Sequence, residues 1–163
     1  MTHTIKAATH AAEVAHVRAL FEEYARSLSV DLDFQDFDAE LASLPGDYTS
    51  PSGTLLLASD AAGALGCVAV RALGPGAVAE LKRLYVRPRG RGTGLGRRLT
   101  DAALTFARAA GYAAIRLDTL PEMGDAQQLY AAFGFTEIDA YRYNPVAGTR
   151  YFEYRFRDGE QQT

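Results

Sequence analysis

Four glycines alternate through residues 90–96, between an apolar segment and an amphipathic one, and they restrict what the flanking chain can be. Residues 80–99 read E-L-K-R-L-Y-V-R-P-R-G-R-G-T-G-L-G-R-R-L. The first seven have the composition of a strand, residues 87–93 form a turn rich in Arg and Gly, and helical periodicity begins at Gly94. A strand that runs through glycines into a helix presents bare backbone N–H groups to an anion. Spacing decides which device this is. A G-x-G-x-x-G motif fails, because its third glycine would fall on Leu95, Arg97 or Leu99. A P-loop fails for want of Gly-Lys-Ser/Thr. R-x-x-G-x-G, from Arg91, Gly94 and Gly96, fits. Missing Cβ atoms let a pyrophosphate approach the backbone. The N–H groups of Gly92, Thr93, Gly94, Leu95, Gly96 and Arg97 lie at a helix N-terminus, whose dipole favours negative charge. Arg91 and Arg97 can add charge-assisted bonds. The plainer alternative is a tight strand-to-helix connection. The agreement of Arg91, the strand and the helix favours the anion site.

The 163 residues suit one domain, residues 1–157, with 158–163 expected to fray because they lack an apolar anchor. A net charge of -3 argues against general nucleic-acid binding. Yet seven of the 17 basic residues fall within 80–99, a local patch that suits a small anionic ligand. Cys67, the only cysteine, permits no internal disulfide and reads as core. His3, His10 and His16 lack metal-site spacing, so no metal is expected. Without a secretory leader or a membrane-length apolar run, a cytoplasmic protein with no membrane partner is expected.

Thr9 is the expected cap of a first helix carrying Val14, Val17, Leu20, Phe21, Tyr24 and Leu28. Phe34, Phe37, Leu41 and Leu44 give a shorter second helix. Residues 54–58, 64–73 and 77–86 read as an antiparallel meander. The helix from Gly94 places Leu95, Leu99, Ala102, Ala103, Phe106 and Ala110 on one face and stops at Gly111. In residues 113–119, Ile115 and Leu117 face one way, Arg116 and Asp118 the other. Strand, helix and strand over residues 80–119 make a right-handed crossover with parallel neighbours. Asp125 with Gln128 suggests a capping box for a helix ending at Phe133. Strands over 135–143 and 150–156, joined by residues 144–148, complete an α+β chain with a mixed sheet and helices on both faces.

The segment L-Y-V-R-P-R-G-R-G-T-G-L-G-R-R-L, residues 84–99, resembles the central motif of the GNAT superfamily of N-acetyltransferases. A-Q-Q-L-Y-A-A-F-G-F, residues 126–135, is similar to that superfamily's next motif, and the element order agrees over nearly the whole chain. The resemblance implies acetyl-CoA as donor and a splayed acyl-CoA N-acyltransferase sheet. The strands containing Val86 and Leu117 would diverge around the pantetheine arm, which would pair with the backbone of Leu84, Tyr85 and Val86. The chain departs from the pattern at Met123, where many relatives carry a coenzyme-contacting Asn. That bears on one coenzyme contact, not on the donor.

Acetyl transfer to an amine needs a neutral amine, a stabilised oxyanion and a proton for the leaving thiolate. Tyr130 stands where the superfamily often has a tyrosine general acid; otherwise it is a helix residue packing beside Leu129 and Phe133. Glu80 resembles a general-base glutamate, with a strand-end ion pair to Lys82 or Arg83 as the alternative. On a regular strand Glu80, Lys82, Leu84 and Val86 would share a face. Lys82 could hold a substrate carboxylate, although a solvated strand-end charge is the plainer reading. Asn144 lies where the superfamily often binds the acceptor, but Asn-Pro is also ordinary turn chemistry.

The expected activity is direct acetyl transfer from acetyl-CoA to a primary amine of a small molecule in a ternary complex. One alternative is a protein or peptide N-acetyltransferase, for which Asp31, Asp33, Asp36, Asp38 and Glu40 could supply acidity; a single solvated face is the favoured reading of these. The other is a non-catalytic acyl-CoA sensor. Hairpin edges offer a route to a homodimer.

Overall fold

Apolar residues fill both faces of the central strands, so helices must cover each side. In the computed structural model, residues 2–28, 32 and 36–157 are described; Phe34, Asp31, Asp33 and the 158–163 tail lie outside them. The strands are β1 (Thr4–Ala7), β2 (Thr54–Asp60), β3 (Gly63–Ala72), β4 (Val78–Val86), β5 (Ala114–Thr119), β6 (Thr136–Ile138) and β7 (Arg150–Arg155). The helices are α1 (Ala11–Ser27), α2 (Phe37–Ser43), α3 (Leu95–Ala109) and α4 (Gly124–Phe133). One sheet runs in the order β1-β2-β3-β4-β5-β7-β6. All its pairs are antiparallel except β4 with β5, the parallel pair expected from the α3 crossover.

One face buries Val68, Val70, Leu81, Ile115 and Leu117 against Leu95, Leu99 and Ala103 of α3 and Tyr130 of α4. The other buries Leu55, Leu57, Cys67 and Ala69 against Val17, Leu20 and Phe21 of α1 and Phe37 of α2. Cys67 is fully buried, as its apolar strand context predicted.

Several expectations shift. The cap of α1 is His10, not Thr9; the Glu13 carboxylate accepts from the N–H groups of both. The apolar stripe of α3 ends earlier than expected, with Ala110 exposed just past the last turn. Met123, not Asp125, precedes the first turn of α4, and Asp125 is exposed within it. The strand expected over 135–143 covers only Thr136–Ile138. Residues 139–149 leave the sheet because Tyr141 and Arg142 are drawn across to Glu80 on β4.

Strand β4 is not regular. Lys82 pairs with Ala69 and Tyr85 with Cys67, so Arg83 and Leu84 together oppose Val68. Arg83 holds a left-handed φ of 61° at this bulge. A non-glycine residue there costs about 1–2 kcal/mol. Offsetting contacts are at hand: Arg83 makes a two-pronged ion pair with Glu40 of α2, both bonds 3.0 Å, and lies 5.1 Å from the Phe37 ring centroid. Its carbonyl accepts from the Cys67 thiol at 3.4 Å. The expected shared face is therefore corrected. Glu80 and Lys82 face α1 and α2, whereas beyond the bulge Leu84 and Val86 pack on the α3 side. Glu40, read as part of a solvated acidic face, is instead held in this pair with its side chain 13% exposed.

Candidate active site

The ladder between β4 and β5 stops after three pairs, the last being Glu80 with Arg116. From Leu81 onward the strands diverge, as the splayed-sheet expectation required. Their separation opens a cavity of about 720 Å³. Leu84, Tyr85 and Val86 line one wall and Leu117, Asp118 and Thr119 the other. Among the described residues the sheet edge of β4 here has no strand partner on the β5 side, so its backbone polar groups are available to a ligand.

Arg91 and Gly96 of the glycine loop line one end of the cavity, while Gly92, Thr93, Gly94 and Leu95 lie outside its lining. Gly92 and Gly94 take φ values of 77° and 80°, a region that glycine enters without Cβ strain. Gly94 precedes α3, and the first bond of the helix runs from Arg98 N–H to its carbonyl. The N–H groups of Leu95, Gly96 and Arg97 thus lack intrahelical acceptors. Arg91 lines the cavity; its Nε donates to the Val86 carbonyl at 3.0 Å and its guanidinium lies 5.9 Å from the Tyr85 ring centroid. The Thr93 hydroxyl donates to the Gly90 carbonyl at 2.6 Å, so it braces the turn. Arg97 differs from expectation: its guanidinium stacks 5.0 Å from the Phe133 ring and does not line the cavity, which leaves its backbone N–H as its contribution. Gly94→Val is expected to weaken acetyl-CoA binding about tenfold, a loss of ~1.4 kcal/mol, the scale of the left-handed penalty. Calorimetric titration of the folded variant checks it.

Tyr130 reaches the cavity from α4. It is 5% exposed, and its ring lies 5.5 Å from that of Phe135. Burial, helped by the nearby Tyr24 and Asp118, raises its phenol well above the ordinary value, so the hydroxyl keeps its proton. Asn144 also lines the cavity, while its Oδ1 accepts from the Val146 N–H at 2.9 Å in the turn anticipated for Asn-Pro. Met123 lines the wall near the start of α4, in the place of the Asn that the resemblance led one to expect.

Glu80 is fully buried and does not line the cavity. Its Oε1 accepts from Nε and Nη2 of Arg71, each at 3.0 Å. Its Oε2 accepts from the Tyr141 hydroxyl at 2.7 Å and from Arg142 Nη2 at 2.5 Å. The anticipated ion pair exists, but with Arg71 and Arg142 as the bonded partners. Burial pushes the carboxyl upward; the charges of Lys82 and Arg142 and the bonds from Arg142 and Tyr141 outweigh it and hold the group below its usual range.

Lys82 is 7% exposed and lines the cavity, so it is not the solvated charge that the plainer reading supposed. Burial, with Arg83, Arg71 and Arg142 nearby, lowers its ammonium to about 8 against the pull of Glu80. The sign of the consequence is set by linkage. Between about pH 8 and its unfolded value near 10.4, the unfolded chain holds the extra proton, so stability rises with pH there. Lys82→Met is expected to flatten that rise, worth on the order of 2–3 kcal/mol. Urea melts from pH 7.5 to 10.5 check it.

Sequence reading passed over two atoms. Asp118 Oδ2 and Thr119 Oγ1 are buried, belong to residues that line the cavity and have no hydrogen-bond partner among the described residues. Asp118 was read only as the polar side of an alternating strand. The signal available was its place just beyond the point where β5 loses β4.

The chain matches the model of the Acetyltransferase (GNAT) family over residues 16–135. It belongs to the GNAT family. This acetyltransferase is 41% identical over 135 residues to an uncharacterized N-acetyltransferase of Schizosaccharomyces pombe, covering 82% of this chain and 83% of the relative. A crystal structure of an acetyltransferase from Streptococcus agalactiae shares the fold, with a TM-score of 0.75 at 21% identity over 94% of this chain and 98% of the other. So does a Salmonella typhimurium protein crystallised with its cofactor acetyl-CoA, with a TM-score of 0.70 at 17% identity over 98% and 97%. The GNAT assignment matches the resemblance seen in residues 84–99 and 126–135.

Proposed function

We propose that the chain moves an acetyl group from acetyl-CoA to a primary amine of a small molecule, by direct attack in a ternary complex. The observation that carries this is the break between β4 and β5. It joins the glycine loop, the free edge of Leu84, Tyr85 and Val86, and Tyr130 into one cavity that passes from the α3 side of the sheet to the α1 side. The residues fit the co-substrate: N–H groups at the start of α3, with Arg91 beside them, suit a pyrophosphate, and the open β4 edge suits the pantetheine amides. Bound there, the thioester supplies the activated acetyl carbon. Tyr130 stands across the cavity as the proton donor for the departing sulfur.

Glu80 acts in this reading as a positioning residue. Its bonds from Tyr141 and Arg142 pin residues 139–149, and with them Asn144, over the acceptor side, while Arg71 of β3 holds the other carboxylate oxygen. The small-amine reading is favoured over a peptide groove by that cover and by Glu40, whose charge is spent on Arg83.

The test is thiol release from acetyl-CoA with a panel of primary amines and a matched panel of basic peptides. Turnover confined to small amines supports the proposal. Turnover of peptides alone replaces it with the protein N-acetyltransferase, and acetyl-CoA binding without turnover on either panel replaces it with the sensor.

A further inference from the structure

The cavity holds a carboxylate oxygen, Asp118 Oδ2, without a hydrogen-bond donor among the described residues. Asp118 sits on β5 two residues past the last β4 contact, its side chain 14% exposed. Its Oδ2 has no hydrogen-bond donor among the described residues; Arg142 Nη1 lies 3.8 Å away, too far for a hydrogen bond, while Nη2 of the same guanidinium is bonded to Glu80. A buried acceptor oxygen left unpaired costs about 1–3 kcal/mol, more when charged, so its persistence points to a ligand that completes it. A second unpartnered oxygen supports this. Thr119 Oγ1, on a residue only 3% exposed, lines the same cavity. Alternation along β5 places Thr119 on the α3 side with Leu117 and Asp118 on the α1 side, so the two orphans flank the sheet where the cavity crosses it.

We propose that Asp118 is the catalytic residue that receives the ammonium group of the acceptor and takes its proton, the role that Glu80 cannot fill from behind its two arginines. The surroundings suit a cation. Burial raises the phenols of Tyr24 on α1, Tyr130 on α4, Tyr141 in the 139–149 segment and Tyr151 on β7, with the charge of Asp118 a smaller contribution in the same direction, so all four stay neutral. Besides Asp118, the charged residues lining the cavity are Lys82 and Arg83 from β4, Arg91 from the glycine loop, Glu122 beyond the end of β5 and Asp125 from α4, and Arg142 of the 139–149 segment approaches Asp118 from outside the lining.

The protons balance. The ammonium gives one proton to Asp118, which returns it to water. The neutral nitrogen forms the C–N bond to the acetyl carbon as the C–S bond breaks. Tyr130 gives its hydroxyl proton to the leaving sulfur, and the second proton shed by the nitrogen restores the phenol.

The inference rests on the amine reading above. Its test is the pH dependence of kcat/KM for Asp118→Asn, measured with the amine that the wild-type chain turns over best. The expected result is a loss of about 100-fold at pH 7 that shrinks below about fivefold near pH 10, where the amine is already neutral in solution. Asp118→Glu, which keeps a carboxylate, should retain the wild-type profile shape. The melting temperature of Asp118→Asn should hold or rise, because an unpaired buried charge is removed. An equal loss at every pH, or none at pH 7, overturns the assignment of Asp118 alone. A wild-type chain that binds acetyl-CoA and turns over no amine overturns the amine reading and this assignment together.

Discussion

Tyr130→Phe is expected to lower kcat by about 10²–10³-fold while leaving the Kd for acetyl-CoA within about twofold. The ring is core material: it is 5% exposed, packs 5.5 Å from Phe135 and joins the α3-side cluster with Leu95, Leu99 and Leu117. Phe preserves that volume, so the fold and the coenzyme walls should survive, and only the hydroxyl is lost. The departing thiolate, with a free pKa of about 8.5, can leave unprotonated more easily at high pH. The defect should therefore narrow as pH rises toward 9.5, because the wild-type phenol, raised by burial, stays a donor throughout while the variant no longer needs one. Stopped assays of product amide from pH 6.5 to 9.5 check this. Equal turnover by the variant would return Tyr130 to the packing role beside Leu129 and Phe133 that its helix position also allows.

The loop proposed to hold the coenzyme was legible as a loop because backbone chemistry is written in residue type. Gly92 and Gly94 take positive φ, and no other residue does so without strain, so their spacing before an amphipathic helix fixed the loop in advance. The α3 crossover likewise fixed the parallel β4–β5 pair. The acceptor end resisted because it depends on side chains brought from far along the chain. Nothing in residues 80–86 announces that Arg83 will turn left-handed to reach Glu40, 43 residues earlier. That single bulge moved Leu84 and Val86 off the face of Glu80. Nor does alternation along β5 reveal that Asp118 Oδ2 lacks a hydrogen-bond donor among the described residues, since that follows from where β4 departs. Arg97 shows the limit of motif reading: its backbone sits where expected, but its side chain found the Phe133 ring of α4.

Removing Glu80 tests how that long-range network is held. Glu80→Ala is expected to destabilise the fold by about 3–5 kcal/mol, the usual cost of taking one partner from a buried ion pair. The carboxylate is fully buried and shared by two arginines whose side chains are 25% and 21% exposed, so both charges lose their counter-ion at once. Each has a poor substitute: Asp47 lies 3.6 Å from Arg71 but is 80% exposed, and Asp118 lies 3.8 Å from Arg142. The second substitution is the informative one, because an Arg142 that swings to Asp118 would neutralise the carboxylate assigned to the acceptor ammonium. Glu80→Gln, which keeps the shape and some of the hydrogen bonds, should cost less stability. It should retain the wild-type form of the pH–rate profile, since a positioning residue sets amplitude and not titration; a lost basic limb in that variant would restore Glu80 as the base. The sign of the pH effect on stability follows from the lowered carboxyl. Its contribution is complete above the unfolded value near 4.5 and is lost as pH falls through the lower folded value. Wild-type stability should thus fall on acidification below about pH 4.5, and Glu80→Gln should lack that component of the fall. Urea melts at pH 3.5, 4.5 and 6 separate the two chains, and parallel slopes would show that the carboxylate is not held as the four bonds require.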